Sequence, residues 1–120
     1  VTETELLWSA IGRAPHVLPH VRIFRREIYS GATATGGYIK IGRPGQGDAY
    51  WMARGVTRYY GEIEAKSHRG VLGEKQVKWR AFCADMGIPH LIWKARKGET
   101  PDATVARWLE ELREKIHAVP

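Results

Sequence analysis

Apolar residues recur at Val105, Trp108, Leu109, Leu112 and Ile116, the spacing that lines one face of an α-helix. Thr100 stands where an N-cap belongs, Pro101 at the first helical position and Asp102 in the first turn, so the start of this helix is marked as well. Near the beginning of the chain, Leu6, Leu7, Ala10 and Ile11 keep helical spacing behind Thr2 or Thr4 as cap, and Pro15 is expected to end that helix. A third helix is predicted over about 74–86, between Gly73 and Gly87, the latter at the place past a C-terminus where the left-handed conformation suits glycine. Its Val77, Trp79, Ala81, Phe82, Cys83 and Met86 cover more than half the circumference, which predicts tight packing against a sheet.

The middle of the chain changes period. Residues 21–28 (VRIFRREI) set Val21, Ile23 and Arg25 against Arg22, Phe24 and Arg26, a strand pattern, and SGATATGG at 30–37 reads as a glycine-rich loop. YIKIG at 38–42 resumes extended structure, and RPGQG at 43–47 is a turn by composition. DAYWMAR at 48–54 and RYYGEIEAK at 58–66 predict two strands joined around Gly55, Val56 and Thr57, continuing a β-meander. PHLIWKA at 89–95 predicts a strand buried on both faces at Leu91, Ile92 and Trp93. The expected order is α-β-β-β-α-β-α, an α/β fold without internal repeat or low-complexity tract.

A chain of 120 residues can bury one core unaided, so a single domain over 1–120 is expected. Its 19 Lys and Arg outweigh 13 Asp and Glu for a formal charge of +6, and the isoelectric point is near 9.7. Such a balance suits a polyanionic partner such as nucleic acid, although solubility alone accounts for it equally well. The one cysteine, Cys83, excludes an intrachain disulfide and a multi-cysteine zinc finger and points to a reducing, cytoplasmic setting. VTETELLWSAIGRAP begins with acids where a signal peptide carries bases, and no apolar run approaches the roughly 18 residues of a membrane span, so no membrane partner is expected.

Candidate chemistry gathers in YYGEIEAKSHRG at 59–70, where Glu62, Glu64 and Lys66 occupy alternate positions of one strand face. An edge strand carries charge to block association, and that reading explains the pattern without chemistry. A turn centred on Val56, however, pairs residues that are mirror images about it, which sets Asp48 directly across from Glu64 at a Cβ separation of about 5 Å. Two carboxylates that close repel unless a cation lies between them, and a hard divalent ion is the natural occupant. Lys66 adds a cation that can orient or deprotonate an attacking water and balance charge on a phosphate.

RPGQGDAYW followed by EAK resembles the PD-(D/E)xK nuclease superfamily, in which an Asp after a glycine-bearing turn is followed by Glu-x-Lys on the next strand. The closer likeness is to the VRR-NUC and phage Holliday-junction-resolvase-like branch. There a first-helix Glu (here TETELL), an Arg-bearing strand (IFRR), GxPGxxD and iEvKxxxGxlsxxQxxw (IEAKSHRGVLGEKQVKW) recur in that order over nearly the whole chain. The resemblance implies a restriction-endonuclease-like core, a central mixed β-sheet flanked by helices, and a Mg²⁺- or Mn²⁺-dependent endonuclease acting on DNA. It implies Asp48, Glu64 and the Ala65 carbonyl as metal ligands, Lys66 as the catalytic lysine, Gln76 as the family glutamine, and Glu3 as the first-helix acid with Glu5 its rival. Two positions depart from the pattern: Gly47 replaces the usual Pro before Asp48, and Glu62 stands where an apolar residue is usual, either as a further ligand or as a solvated acid.

Arg25, Arg43, Arg69 and Lys75, with Arg26, Lys40, Arg54, Arg58 and His68, flank this site in sequence and are candidates for DNA phosphates or ordinary surface charges. Tyr50 and Tyr60 are candidates for stacking on bases, while the tryptophans fall mostly at core-facing positions. His16 and His20 have zinc-pair spacing, but Pro19 interrupts the helix that would align them, and Cys83 suits a buried apolar role. So small a domain suits a homodimer on two strands or a junction; no small-molecule cofactor is expected. The alternatives are a non-catalytic nucleic-acid-binding module that keeps the fold, and a nuclease acting on RNA.

Overall fold

The computed structural model describes residues 1–26, 29–32, 35–36, 38–41 and 45–118. Its elements are α1 (Glu3–Val17), β1 (Val21–Arg25), β2 (Tyr29–Ala32), β3 (Tyr38–Ile41), β4 (Ala49–Ala53), β5 (Tyr60–Lys66), α2 (Glu74–Asp85), β6 (His90–Lys94) and α3 (Pro101–His117). Four strands form one mixed sheet in the order β1-β4-β5-β6, antiparallel up to β5 and parallel between β5 and β6, with α2 as the crossover. The hairpin of β2 and β3 is inserted between β1 and β4 as a separate two-stranded sheet. Residues 30–32, expected as loop, therefore belong to a strand, and among the described residues five strands, not the three of the expected order, stand between α1 and α2.

Thr2, not Thr4, caps α1, accepting from the Glu5 N–H at 3.1 Å. Pro15 does not end that helix. Its ring removes one donor, but the final turn is held by burial of Ala14 and Leu18 and by the Leu18 N–H on the Ala14 carbonyl at 2.7 Å. α3 starts at the expected cap, with the Thr100 hydroxyl accepting from the Ala103 N–H at 3.2 Å.

One face of the sheet makes the core. Val21, Ile23, Ala49, Trp51, Ile63, Ala65 and Trp93 pack with Leu6, Leu7, Ala10 and Ala14 of α1 and with the predicted stripe of α3. Trp93 and Trp108 stack at 5.2 Å. Gly61 stands opposite Trp51, and a Cβ there would overlap the indole ring. β5 is the strand buried on both faces; β6 is a sheet edge, where Trp93 is buried and Leu91 and Ile92 only partly so. α2 also departs from expectation. Only Cys83 is buried, and Val77, Phe82 and Met86 are exposed, because this helix meets the edge strand β6 and not the middle of the sheet.

Candidate functional site

The predicted hairpin register is the one the structure has: Ala49 pairs with Ile63, Tyr50 with Glu62, Trp51 with Gly61 and Met52 with Tyr60. Continued by one residue, it sets Asp48 against Glu64. Two glycines let the chain approach this closely before β4. A Cβ on Gly47 would lie 2.7 Å from the Ile63 carbonyl oxygen. Gly45, at φ +89°, lies so tightly against the Lys75 carbonyl at the start of α2 that a side chain would overlap it.

These approaches bring Asp48, Glu64, Lys66 and Gln76 together from three elements. An Asp48 carboxylate oxygen, Oδ2, accepts from the Ala65 N–H at 2.8 Å, which holds the acid against β5. Glu64 is 2 % exposed. Its Oε1 accepts from Gln76 Nε2 at 2.6 Å and lies 3.7 Å from Lys66 Nζ, while its buried Oε2 has no hydrogen-bond partner. Gln76 is the joint of the cluster: its Oε1 accepts from Lys66 Nζ and from the Gly73 N–H, both at 2.8 Å. Since Gly73 and Gln76 form the first turn of α2, the helix start and the strand end position each other.

Burial, and then the neighbouring Asp48 carboxylate, push Glu64 up to about 8; Lys66 opposes this and Glu3 adds to it. At neutral pH Glu64 therefore favours its protonated form unless a cation takes the place of the proton. Of the two first-helix acids Glu3 is the one beside the end of β5, its Oε2 accepting from the Ser67 N–H at 2.8 Å. Glu5 is exposed and turned to the Thr2 hydroxyl.

Glu62 is neither a ligand of this cluster nor a solvated acid. It is 1 % exposed and paired with Arg26, Nη1 to Oε2 at 2.6 Å. Arg26 also donates to the Gly47 carbonyl at 3.2 Å and the Tyr60 hydroxyl at 3.3 Å, so it serves the fold and is not a phosphate contact. Arg58 is likewise committed, donating to the Ala118 carbonyl at 2.6 Å. Arg25 is exposed over the Trp8 ring at 5.5 Å, and Arg54, His68, Arg69 and Lys75 are exposed. Arg43 and the Lys40 side chain lie outside the described residues. His20 meets His117, not His16, with ring nitrogens 3.3 Å apart. The Arg26–Glu62–Tyr60 cluster is not readable in the sequence; its one signal there is an acid where the resembling family has an apolar residue.

Among the described residues no group of three or more His, Cys, Asp or Glu side chains converges as a ready-made cage for an ion. The two carboxylates and the unpartnered Glu64 Oε2 nevertheless fit a divalent cation, which would relieve their repulsion and use the orphaned oxygen. No family model matches this chain, and neither a curated protein nor a solved structure matches it. Among the described residues no helix is long and apolar enough to cross a membrane.

Proposed function

We propose that this chain is a metal-dependent endodeoxyribonuclease with a restriction-endonuclease-like core, related to the VRR-NUC and phage Holliday-junction-resolvase-like branch of the PD-(D/E)xK superfamily. The observation that carries the reading is the convergence of Asp48, Glu64, Lys66 and Gln76, with Glu64 Oε2 left without a partner. Asp48, Glu64 and the Ala65 carbonyl would hold Mg²⁺ or Mn²⁺, which when bound polarises a phosphoryl oxygen and acidifies water.

The protein's own groups supply the rest. Lys66 brings a positive charge to the reacting phosphate, where charge builds in the transition state, and Gln76 holds that ammonium in place. Glu64 must give up its proton before both oxygens can serve, Oε1 to Gln76 and Oε2 to the ion. Glu3 keeps the end of β5 in position through Ser67. Exposed Arg25, Arg69 and Lys75 offer charge for DNA phosphates. The lone cysteine supports a cytoplasmic setting, and the uncovered apolar side of α2 is compatible with a homodimer.

One observation favours a second reading, a non-catalytic nucleic-acid-binding module: Gln76 and Lys66 already satisfy Glu64 Oε1 from within the chain. A titration of Mg²⁺ and Mn²⁺ against linear, flapped and four-way DNA separates the two. Cleavage that needs the metal supports the nuclease; salt-dependent binding of every substrate without cleavage supports the module.

A further inference from the structure

The core occupies only one face of the four-stranded sheet; the other carries an aromatic ladder. Phe24 on β1 stacks on Tyr50 of β4 at 5.3 Å and 25°, and Tyr50 meets Tyr60 of β5 at 6.0 Å. Arg26 fastens the ladder from within, its guanidinium 5.0 Å from the Tyr50 ring centre and bonded to the Tyr60 hydroxyl, while Glu62 pins the guanidinium. The ladder is partly open to solvent: Phe24 is 42 % exposed, and Tyr59, next to Tyr60 in the chain, 67 %.

Tyr59 and Tyr60 continue into a groove of about 560 Å³, walled also by His20, Arg22, Met52 and Arg54 and lined by no acidic residue. A groove of this size takes a small organic group, and its wall is aromatic, apolar and cationic. Glu64 lies four residues, about 13 Å, along β5 from Tyr60, beyond the buried Arg26–Glu62 pair.

We infer that this face binds an unpaired DNA strand beside the Asp48–Glu64 cluster, its bases stacking on Phe24, Tyr59 and Tyr60 and its phosphates meeting the exposed Arg54. The chemistry selects the occupant. A duplex offers phosphates and base edges but keeps its base faces stacked inside, whereas an unpaired strand offers flat faces and negative charge together, which is what exposed rings beside the exposed Arg54 on a chain of charge +6 complement. The inference rests on the nuclease reading and deepens it: the substrate is DNA with a single-stranded segment next to the cut.

The test is fluorescence anisotropy of the full chain in chelator, so that nothing is cleaved, at one salt concentration. The probes are a labelled oligothymidylate of about a dozen nucleotides and an abasic strand with the same number of phosphates. The parent is expected to bind the base-bearing strand about 10-fold or more tighter. Phe24→Leu, which keeps the apolar volume and loses the ring, and Tyr59→Ala are each expected to shrink that ratio several-fold. Equal affinity of the parent for the two strands overturns the inference, as does a ratio that both variants leave unchanged. A lost base preference with metal-dependent cleavage intact defeats the platform alone. A base preference without cleavage under either metal defeats the nuclease reading alone.

Discussion

Glu64 carries the largest electrostatic conflict of the site, and it makes the molecule pH-sensitive. Burial and Asp48 raise its folded pKa from 4.5 to about 8. The protonated form is thus favoured by folding, and the stability it contributes is complete below about 4.5 and lost as pH rises through about 8. In metal-free protein the urea midpoint should fall over that interval. His90, whose pKa burial lowers from 6.5, acts in the opposite sense, and Glu111, raised by burial, in the same sense, so the comparison is with Glu64→Gln, in which the fall should be clearly smaller. A second prediction concerns the Arg26–Glu62 pair. Glu62→Ala strands a largely buried guanidinium and should cost about 3 kcal/mol, whereas Arg26→Met with Glu62→Leu should cost clearly less, both read by chemical denaturation. Neither the partner of Glu62 nor its burial was readable in the sequence, because Arg26 reaches it across β4 from the end of β1.

The β4–β5 hairpin was the most legible element, and it carried the site with it. Alternation on both strands and a turn around Val56 leave one register that buries Trp51 and Ile63 together, and that register places Asp48 by Glu64. The glycines before Asp48 were legible as a turn, but their role as points of contact with Ile63 and Lys75 needed the fold. Gly47→Ala should therefore displace Asp48 by a few tenths of an ångström or more. Single-turnover cleavage should slow by about 10-fold or more, with a smaller effect on the unfolding midpoint. α2 was misread for a physical reason: apolar content says that a face can be buried, not that something is there to bury it. Pro15 was misread because a proline's local cost was outweighed by the packing of the turn after it.

At the scale of the whole molecule the sheet divides the work. α1 and α3 close one face over the tryptophan core, which leaves the opposite face for charge, aromatic rings and the Asp48–Glu64 cluster. That division lets a domain of this size hold two buried glutamates, since each is answered by a neighbour within the chain, Arg26 for Glu62 and Gln76 with Lys66 for Glu64. The central claim is that the second of these groups is catalytic. Its most direct test is the single-turnover rate of DNA cleavage in Mg²⁺ by the purified parent, Lys66→Ala and Asp48→Asn on one substrate, with folding of each verified by circular dichroism. The account predicts cleavage by the parent, a loss of about 10²-fold with Lys66→Ala and no metal-dependent cleavage with Asp48→Asn. Cleavage by either folded variant at the parent's rate would contradict it.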